Sequence, residues 1–194
     1  EGRRVPGFWI DLHELSVGEY GKFLAYLQKH GHKDLKCCTA EILDHRPVGW
    51  EIQKRSPRLP VVGVTIEDAK AYASWRGKIL PTRAQWELAA TRGKGSKYLK
   101  YPYGDTFDPG LVNGGGDLPD AASLVPVDDP RFLPGASACG CLHFSGNAAE
   151  WVQEASGAAF LMGGSCKTGE PEYLRADFGF PAGFNGQAGV DIQS

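Results

Sequence analysis

This chain is rich in glycine and proline, with 26 Gly and 13 Pro among its 194 residues. Both residues interrupt helices and strands and are typical of turns. We therefore expect many loops and few long regular elements. Hydrophobic residues nevertheless make up 42% of the chain, a composition that is typical of a globular protein with a packed core. The absence of a linker-like segment predicts a single α+β domain over residues 1–194.

Three short motifs predict where helices begin. Each is a Ser or Thr followed three residues later by Glu, Asp or Gln, a pattern in which the two side chains cap the first helical turn reciprocally. The motifs start at Ser16, Thr65 and Thr82. Short apolar segments predict a strand at 8–10, a strand or extended lead-in at 60–64 and a late strand at 160–165. Residues 94–140 carry no helix signal, and a loop region of this length is usually functional or held by ions and side chains.

The net charge and the cysteine content indicate which binding partners and which cellular compartment to expect. The formal net charge is -2, so no attraction to nucleic acid or to an anionic membrane surface is expected. No apolar run reaches the ~18 residues of a membrane helix, so we expect no membrane segment in this chain. Five cysteines are too few for a disulfide scaffold and favour reduced thiols in a cytoplasmic setting. The start at Glu1 rather than Met suggests a piece of a longer protein.

An ordered set of motifs resembles the formylglycine-generating enzyme, or sulfatase-modifying factor, superfamily. The strongest block is Leu-Pro-Thr-Arg-Ala-Gln-Trp-Glu-Leu-Ala-Ala at 80–90. The other blocks follow the order of the family and lie at 8–11, 14–20, 60–75, 101–105, 145–151 and 163–165. The resemblance implies a C-type-lectin-like fold with short strands, two to three helices and much irregular loop. It also implies that Trp86 and Trp151 are core anchors.

The resemblance further implies structural calcium around Asn147 and Glu150 and near Asn113. Carboxylate and amide oxygens are the ligands that calcium prefers, so the residue types fit such a site. The alternative is that Asn147 and Glu150 cap a turn and satisfy backbone amides without a metal.

The cysteine pattern differs from that of the oxidases in this superfamily. The resemblance implies that those enzymes bind copper(I) with two cysteines, a few residues apart, just after the Gly-Gly-Ser strand. Here only Cys166 follows Gly-Gly-Ser at 163–165, and no cysteine comes after it. We therefore expect no copper at this position and interpret Cys166 as a packed side chain. Cys139 and Cys141 could share one face of a strand and hold zinc or copper, but they occupy positions that are apolar in the family, which favours a packing role.

Aromatic residues late in the chain predict a ligand-binding face. The stretch 174–185 is rich in Phe and small residues, and in lectin-like folds this region faces the ligand. Phe178, Phe180, Phe184 and Asn185 could form an apolar platform with a polar edge. Ordinary core packing is the alternative.

These features together predict a non-catalytic, lectin-like recognition module. Its ligand would be a protein, a peptide or a small molecule, and its setting a bacterial signalling protein in which it is fused to another domain, such as a serine/threonine kinase. The competing interpretation is a copper oxidase that converts a sulfatase cysteine to formylglycine. Two others are a variable protein of a diversity-generating retroelement and a purely structural domain.

Overall fold

The computed structural model describes residues 7–32, 44–92, 98–115 and 123–183. The helices are α1 (Val17–His30), α2 (Trp50–Gln53), α3 (Ile66–Trp75) and α4 (Arg83–Thr91). The strands are β1 (Glu150–Gln153), β2 (Ala159–Met162) and β3 (Gly179–Pro181). Within the described ranges, no helix has the length and apolarity that crossing a bilayer requires.

Side-chain caps set the starts of the three long helices, as the sequence predicts. Thr65 and Thr82 each form a complete capping box. At α1 only half of the predicted box is present, because Ser16 accepts a hydrogen bond from the Glu19 amide at 3.3 Å while the Glu19 carboxylate pairs with Arg76 beyond the end of α3. Each cap satisfies an amide that would otherwise lack a partner at the helix start.

The sheet is small and antiparallel, with strand order β1-β2-β3. Trp151 pairs with Leu161, and Leu161 pairs with Phe180. The late strand predicted at 160–165 is confirmed over 160–162 as part of β2, whereas 163–165 lie beyond its end at Met162. The strand predicted at 8–10 is wrong. That segment is an irregular loop. Just after it, the Leu12 carbonyl accepts a hydrogen bond from Leu142 N.

Three apolar clusters form the core of the described residues, and the smallest contains Tyr101, Val112 and Leu174. The first lies between α1 and α3, where Tyr20 stacks on Tyr72 with ring centroids 5.8 Å apart. The second surrounds Trp86, which is 1% exposed and packs edge-on against Phe144. Trp86 is thus the core anchor that the resemblance implied. Trp151 is only partly buried, and its indole N–H donates to the Val64 carbonyl at 3.1 Å.

The loops between α4 and β1 are held together by close backbone contact. Gly146 lies beside Asn113 in a parallel bridge, with a φ of +80°. A Cβ atom at Gly146 would lie 2.3 Å from the Asn113 carbonyl oxygen. Only glycine fits such an approach, because the contacting atom is backbone and cannot rotate away.

We predict that Gly146→Ala destabilises the protein much more than Gly157→Ala. Both glycines have positive φ, but a Cβ at Gly157 would meet nothing within 4 Å. Gly157→Ala should therefore cost only the backbone strain of about 1–2 kcal/mol, and Gly146→Ala roughly 2 kcal/mol or more beyond that. Chemical denaturation measures both costs, and equal values would contradict the close approach of the two loops.

Candidate functional site

The side chain of Asn147 is the polar centre of the domain. Its oxygen accepts hydrogen bonds from Asn113 Nδ2 at 3.0 Å and Val125 N at 2.9 Å. Its nitrogen donates to Glu14 at 2.6 Å and to the Val125 carbonyl at 3.2 Å. A primary amide accepts two and donates two hydrogen bonds, so these contacts use its whole capacity. Asn147 is fully buried and has a φ of +61°, a conformation that Asn tolerates better than most residues.

Two carboxyls lie beside this centre, of which Glu14 is buried and Glu150 is partly exposed. Glu14 accepts from Asn147 and, with its other oxygen, from the Ala148 amide at 2.9 Å. Burial and, secondarily, the charge of Glu150 hold the pKa of Glu14 well above its usual range, although both hydrogen bonds oppose this shift. Glu150 accepts from the indole N–H of Trp86. Burial raises the pKa of Glu150 to about 7, so this carboxyl is a mixture of acid and carboxylate at neutral pH.

Two of the residues predicted to bind calcium, Asn113 and Asn147, are hydrogen-bonded to each other, and the side-chain oxygen of Asn147 is already engaged. Asn147 Oδ1 accepts two hydrogen bonds, and Asn113 presents its nitrogen to Asn147 and to the Ser123 carbonyl. Glu150 is held by Trp86 and partly protonated at neutral pH. In the part of the chain that the structure describes, no three His, Cys, Asp or Glu side chains converge in a group that could hold a metal. Calcium takes six to eight oxygens, more than these three side chains hold between them, and the calcium site stays a prediction.

A cleft of about 550 Å³ opens above the two carboxyls. Its lining comes from residues 8–15, 60–64, 78–81 and 141–151, together with the neighbouring faces of α1, α3 and α4. Its volume lies within the range of ligand pockets. Aromatic and aliphatic side chains dominate its walls, and Glu14 and Glu150 are among its polar lining residues.

The rim of the cleft carries two large apolar side chains that are almost entirely in water. Trp9 is 101% exposed and Ile79 is 85% exposed. Lys78 and Asp11 form an ion pair of 2.6 Å that joins the two rim segments. Exposed apolar groups beside a concave surface are typical of interaction sites.

Sequence reasoning missed this cleft because its walls come from several segments that are far apart in the chain. The available signals were weak: Trp9 lies in an apolar run that does not form a strand, and Ile79 follows Gly77 outside any helix. Glu14 was not singled out either, because its partners Asn147 and Ala148 lie more than 130 positions later in the chain.

The predicted aromatic platform forms a packed cluster where the structure describes it. Phe178 contacts Phe180 with ring centroids 4.9 Å apart and contacts Tyr173 at 4.8 Å. Phe180 is 4% exposed, so its ring packs inside, whereas Phe178 is partly exposed. Phe184 and Asn185 lie outside the described residues. Ligand binding by these four residues stays a prediction.

The described thiols fall into two groups. Cys166 is buried, and burial raises its pKa. Among the positions described, no hydrogen bond joins its sulfur to another thiol. Cys139 and Cys141, in contrast, contact each other with sulfurs 3.4 Å apart.

Comparison with known proteins identifies the family to which the chain belongs. The family described as "Sulfatase-modifying factor enzyme 1-like domain" matches residues 1–180. The chain belongs to this family. The superfamily that the motifs resemble is therefore confirmed, and most of those motifs coincide with the framework of caps and core described above.

Two relatives show the range of proteins in which this domain occurs. The serine/threonine-protein kinase Pkn1 of Chlamydia trachomatis serovar L2 is 33% identical over 164 residues, covering 77% of this chain and 23% of the kinase. The "inactive C-alpha-formylglycine-generating enzyme 2" of Bos taurus is 54% identical over 54 residues, covering 28% of this chain and 17% of that protein. The chain thus spans about a quarter or less of the length of these sulfatase-modifying-factor relatives.

Two solved structures share the C-type-lectin-like fold. The crystal structure of CarF superposes with a TM-score of 0.55 at 21% identity, covering 88% of this chain and 83% of the other. Treponema denticola variable protein 1 has a TM-score of 0.53 at 17% identity, covering 87% and 76%. The predicted fold class is confirmed.

We predict that Glu150→Gln removes a pH-dependent loss of stability. The pKa of Glu150 rises from the ordinary 4.5 to about 7 on folding, so the folded state holds the proton more tightly. Its contribution is complete below the ordinary pKa and is lost as the pH rises through the folded pKa. Relative to wild type, Glu150→Gln should gain roughly 2 kcal/mol between about pH 5 and about pH 8, while its oxygen still accepts from Trp86.

Denaturation at both pH values measures this gain. The matched control is Glu51→Gln, because hydrogen bonding to Lys54 lowers the pKa of Glu51 and the variant should show no gain at high pH. An unchanged pH profile for Glu150→Gln would contradict the buried acid at the floor of the cleft.

Proposed function

We propose that this domain is a recognition module that binds an apolar segment of a protein or peptide in the cleft beneath Trp9 and Ile79. The observation that carries the proposal is the pairing of an apolar cavity with two exposed hydrophobic side chains at its rim. Burying them on a ligand removes apolar surface from water, which is favourable by about 25 cal/mol per Å². A single exposed apolar residue is common on protein surfaces and does not by itself indicate a binding site. Trp9 and Ile79 differ because both line the same cavity.

The floor of the cleft suggests which ligands it prefers. Among the described residues, Trp86 is the one side chain that donates a hydrogen bond to Glu150, which is partly exposed. A donor on the ligand, such as a backbone or side-chain N–H, could use its remaining acceptor capacity. We therefore propose an apolar side chain flanked by a hydrogen-bond donor as the recognised element.

The arrangement of thiols favours recognition over cysteine oxidation. The oxidases that the sequence resembles need two cysteines after the Gly-Gly-Ser strand, and Cys166 is single there. Its thiol is buried and its pKa is raised by burial, which opposes formation of the thiolate that binds metal. One relative is named an inactive formylglycine-generating enzyme. This name supports the idea that a domain of this family can have a role other than oxidase catalysis.

The kinase relatives suggest where such a module acts. Pkn1 is named a serine/threonine-protein kinase, and the matched region accounts for 23% of its length. A domain of this kind within a larger signalling protein could report ligand binding to its neighbour. We propose this sensor or regulatory role for the chain.

We predict that Ile79→Asp and Trp9→Ala weaken ligand binding, whereas Ile52→Asp does not. Ile52 is 73% exposed but lies on α2, away from the cleft, so it matches Ile79 in residue type and exposure. A random peptide library displayed on phage is panned on the wild-type protein, and the enriched peptides are measured by fluorescence anisotropy. Affinity should fall roughly tenfold or more with the two rim variants.

Two results would overturn the proposal. One is enrichment of no peptide by the wild-type protein. The other is enrichment of peptides that bind Ile79→Asp and Trp9→Ala as tightly as Ile52→Asp.

A further inference from the structure

Cys139 and Cys141 lie on either side of Gly140 in a tight turn, with their sulfurs 3.4 Å apart. Gly140 has a φ of +87°, a conformation that glycine adopts without the strain of a side chain. The Gly140 N–H donates to the Ser137 carbonyl at 2.8 Å, and the Ser137 N–H donates to the Cys141 carbonyl at 2.9 Å. Because these hydrogen bonds fix the turn, the folded backbone holds the two thiols in contact.

The two thiols differ in their access to solvent. Cys139 is exposed, whereas Cys141 is only 2% exposed. Burial, followed by the contact with Cys139, raises the pKa of Cys141 to about 12, which opposes formation of the reactive thiolate. A reagent in solution therefore meets Cys139 first and reaches Cys141 only through it.

The separation of the two sulfurs suits a bond between them. A disulfide bond is about 2.05 Å long, so the sulfurs need to approach each other by roughly 1.4 Å. The contacts that hold the Cys139 thiol are weak, because a thiol is a poor hydrogen-bond donor and acceptor. Its sulfur lies 3.3 Å from the Ala89 carbonyl oxygen and 3.1 Å from the Ser137 hydroxyl. A small rotation of this exposed side chain is enough to close the gap.

We propose that Cys139 and Cys141 are a modification site that a small-molecule disulfide, such as glutathione disulfide, converts into an intramolecular disulfide. The Cys139 thiolate attacks one sulfur of the reagent and releases the first glutathione thiol. The Cys141 sulfur then attacks the Cys139 sulfur, gives up its proton and releases the second glutathione thiol. One protein dithiol and one glutathione disulfide thus give one protein disulfide and two glutathione thiols, with two electrons passing from the protein to the reagent.

The modification is reversible, because the exposed Cys139 sulfur leaves the bond open to attack by reducing thiols. Exposed disulfides are typically the labile ones. Closing the bond removes the S–H group that faces the Ala89 carbonyl in the last turn of α4. It also moves the Cys141 sulfur, which lines the cleft. The proposal itself does not depend on whether the cleft binds a peptide.

The test uses the full chain with Cys37→Ser, Cys38→Ser and Cys166→Ala, which leaves Cys139 and Cys141 as its only thiols. This triple variant is equilibrated without oxygen in glutathione redox buffers, both folded and in urea, and its intact mass is measured after an acid quench. The folded protein should lose two hydrogens, and dithiothreitol should restore them. Its equilibrium constant for disulfide formation should exceed that of the unfolded chain about tenfold or more, because the fold orients the thiols.

Two further variants in the same background test the order of the steps. Cys139→Ser should stay unmodified in the folded state, because the remaining thiol of Cys141 is buried. Cys141→Ala should stop at a glutathione adduct on the exposed Cys139.

Three results would overturn the proposal. The folded triple variant could keep both thiols in excess glutathione disulfide, it could accumulate the glutathione adduct in place of the intramolecular bond, or its equilibrium constant could equal that of the unfolded chain. The wild-type chain provides a second measurement if the triple variant does not fold. Proteolytic cleavage after Glu150 separates Cys139 and Cys141 from Cys166, so the same loss of two hydrogens can be sought in the peptide that carries the pair.

Discussion

The hydrogen-bonded side chain of Asn147 is the constraint on which the irregular half of the domain depends. It connects Glu14 before α1 with Asn113 and Val125 in two later loops, and its backbone carbonyl accepts from Cys166 N at 2.9 Å. Loops without strand ladders must satisfy their buried polar groups in some other way. Here a single amide in the left-handed region does so for four segments, since every donor and acceptor of its side chain is used.

This centre also determines the chemistry of the cleft. Glu14 is fixed by Asn147 and Ala148, which keeps a carboxyl buried beneath an otherwise apolar cavity. Its neighbour Glu150 is held by Trp86, the anchor of the second core cluster. The same contacts that join the loops therefore set how polar the floor of the cleft is.

Local chemistry could be predicted from the sequence, and long-range placement could not. The caps at Thr65 and Thr82 are contained within four residues each, so the helices followed directly from them. The strand predicted at 8–10 is wrong, because an apolar run becomes a strand only when a neighbouring chain offers a ladder of partners. Asn147 and Glu150 were identified through the resemblance, but Glu14 and the cleft arise from contacts across most of the chain, to which no local pattern points.

The central proposal for this scaffold is that it recognises a ligand and does not oxidise one. The most direct measurement incubates the wild-type protein with copper, oxygen and a peptide carrying the cysteine motif of sulfatases, with an active formylglycine-generating enzyme as the positive control. Mass spectrometry then follows conversion of cysteine to formylglycine. We expect the peptide cysteine to remain unconverted while the control converts it, because Cys166 has no partner cysteine downstream. Conversion over several turnovers per chain would contradict the account.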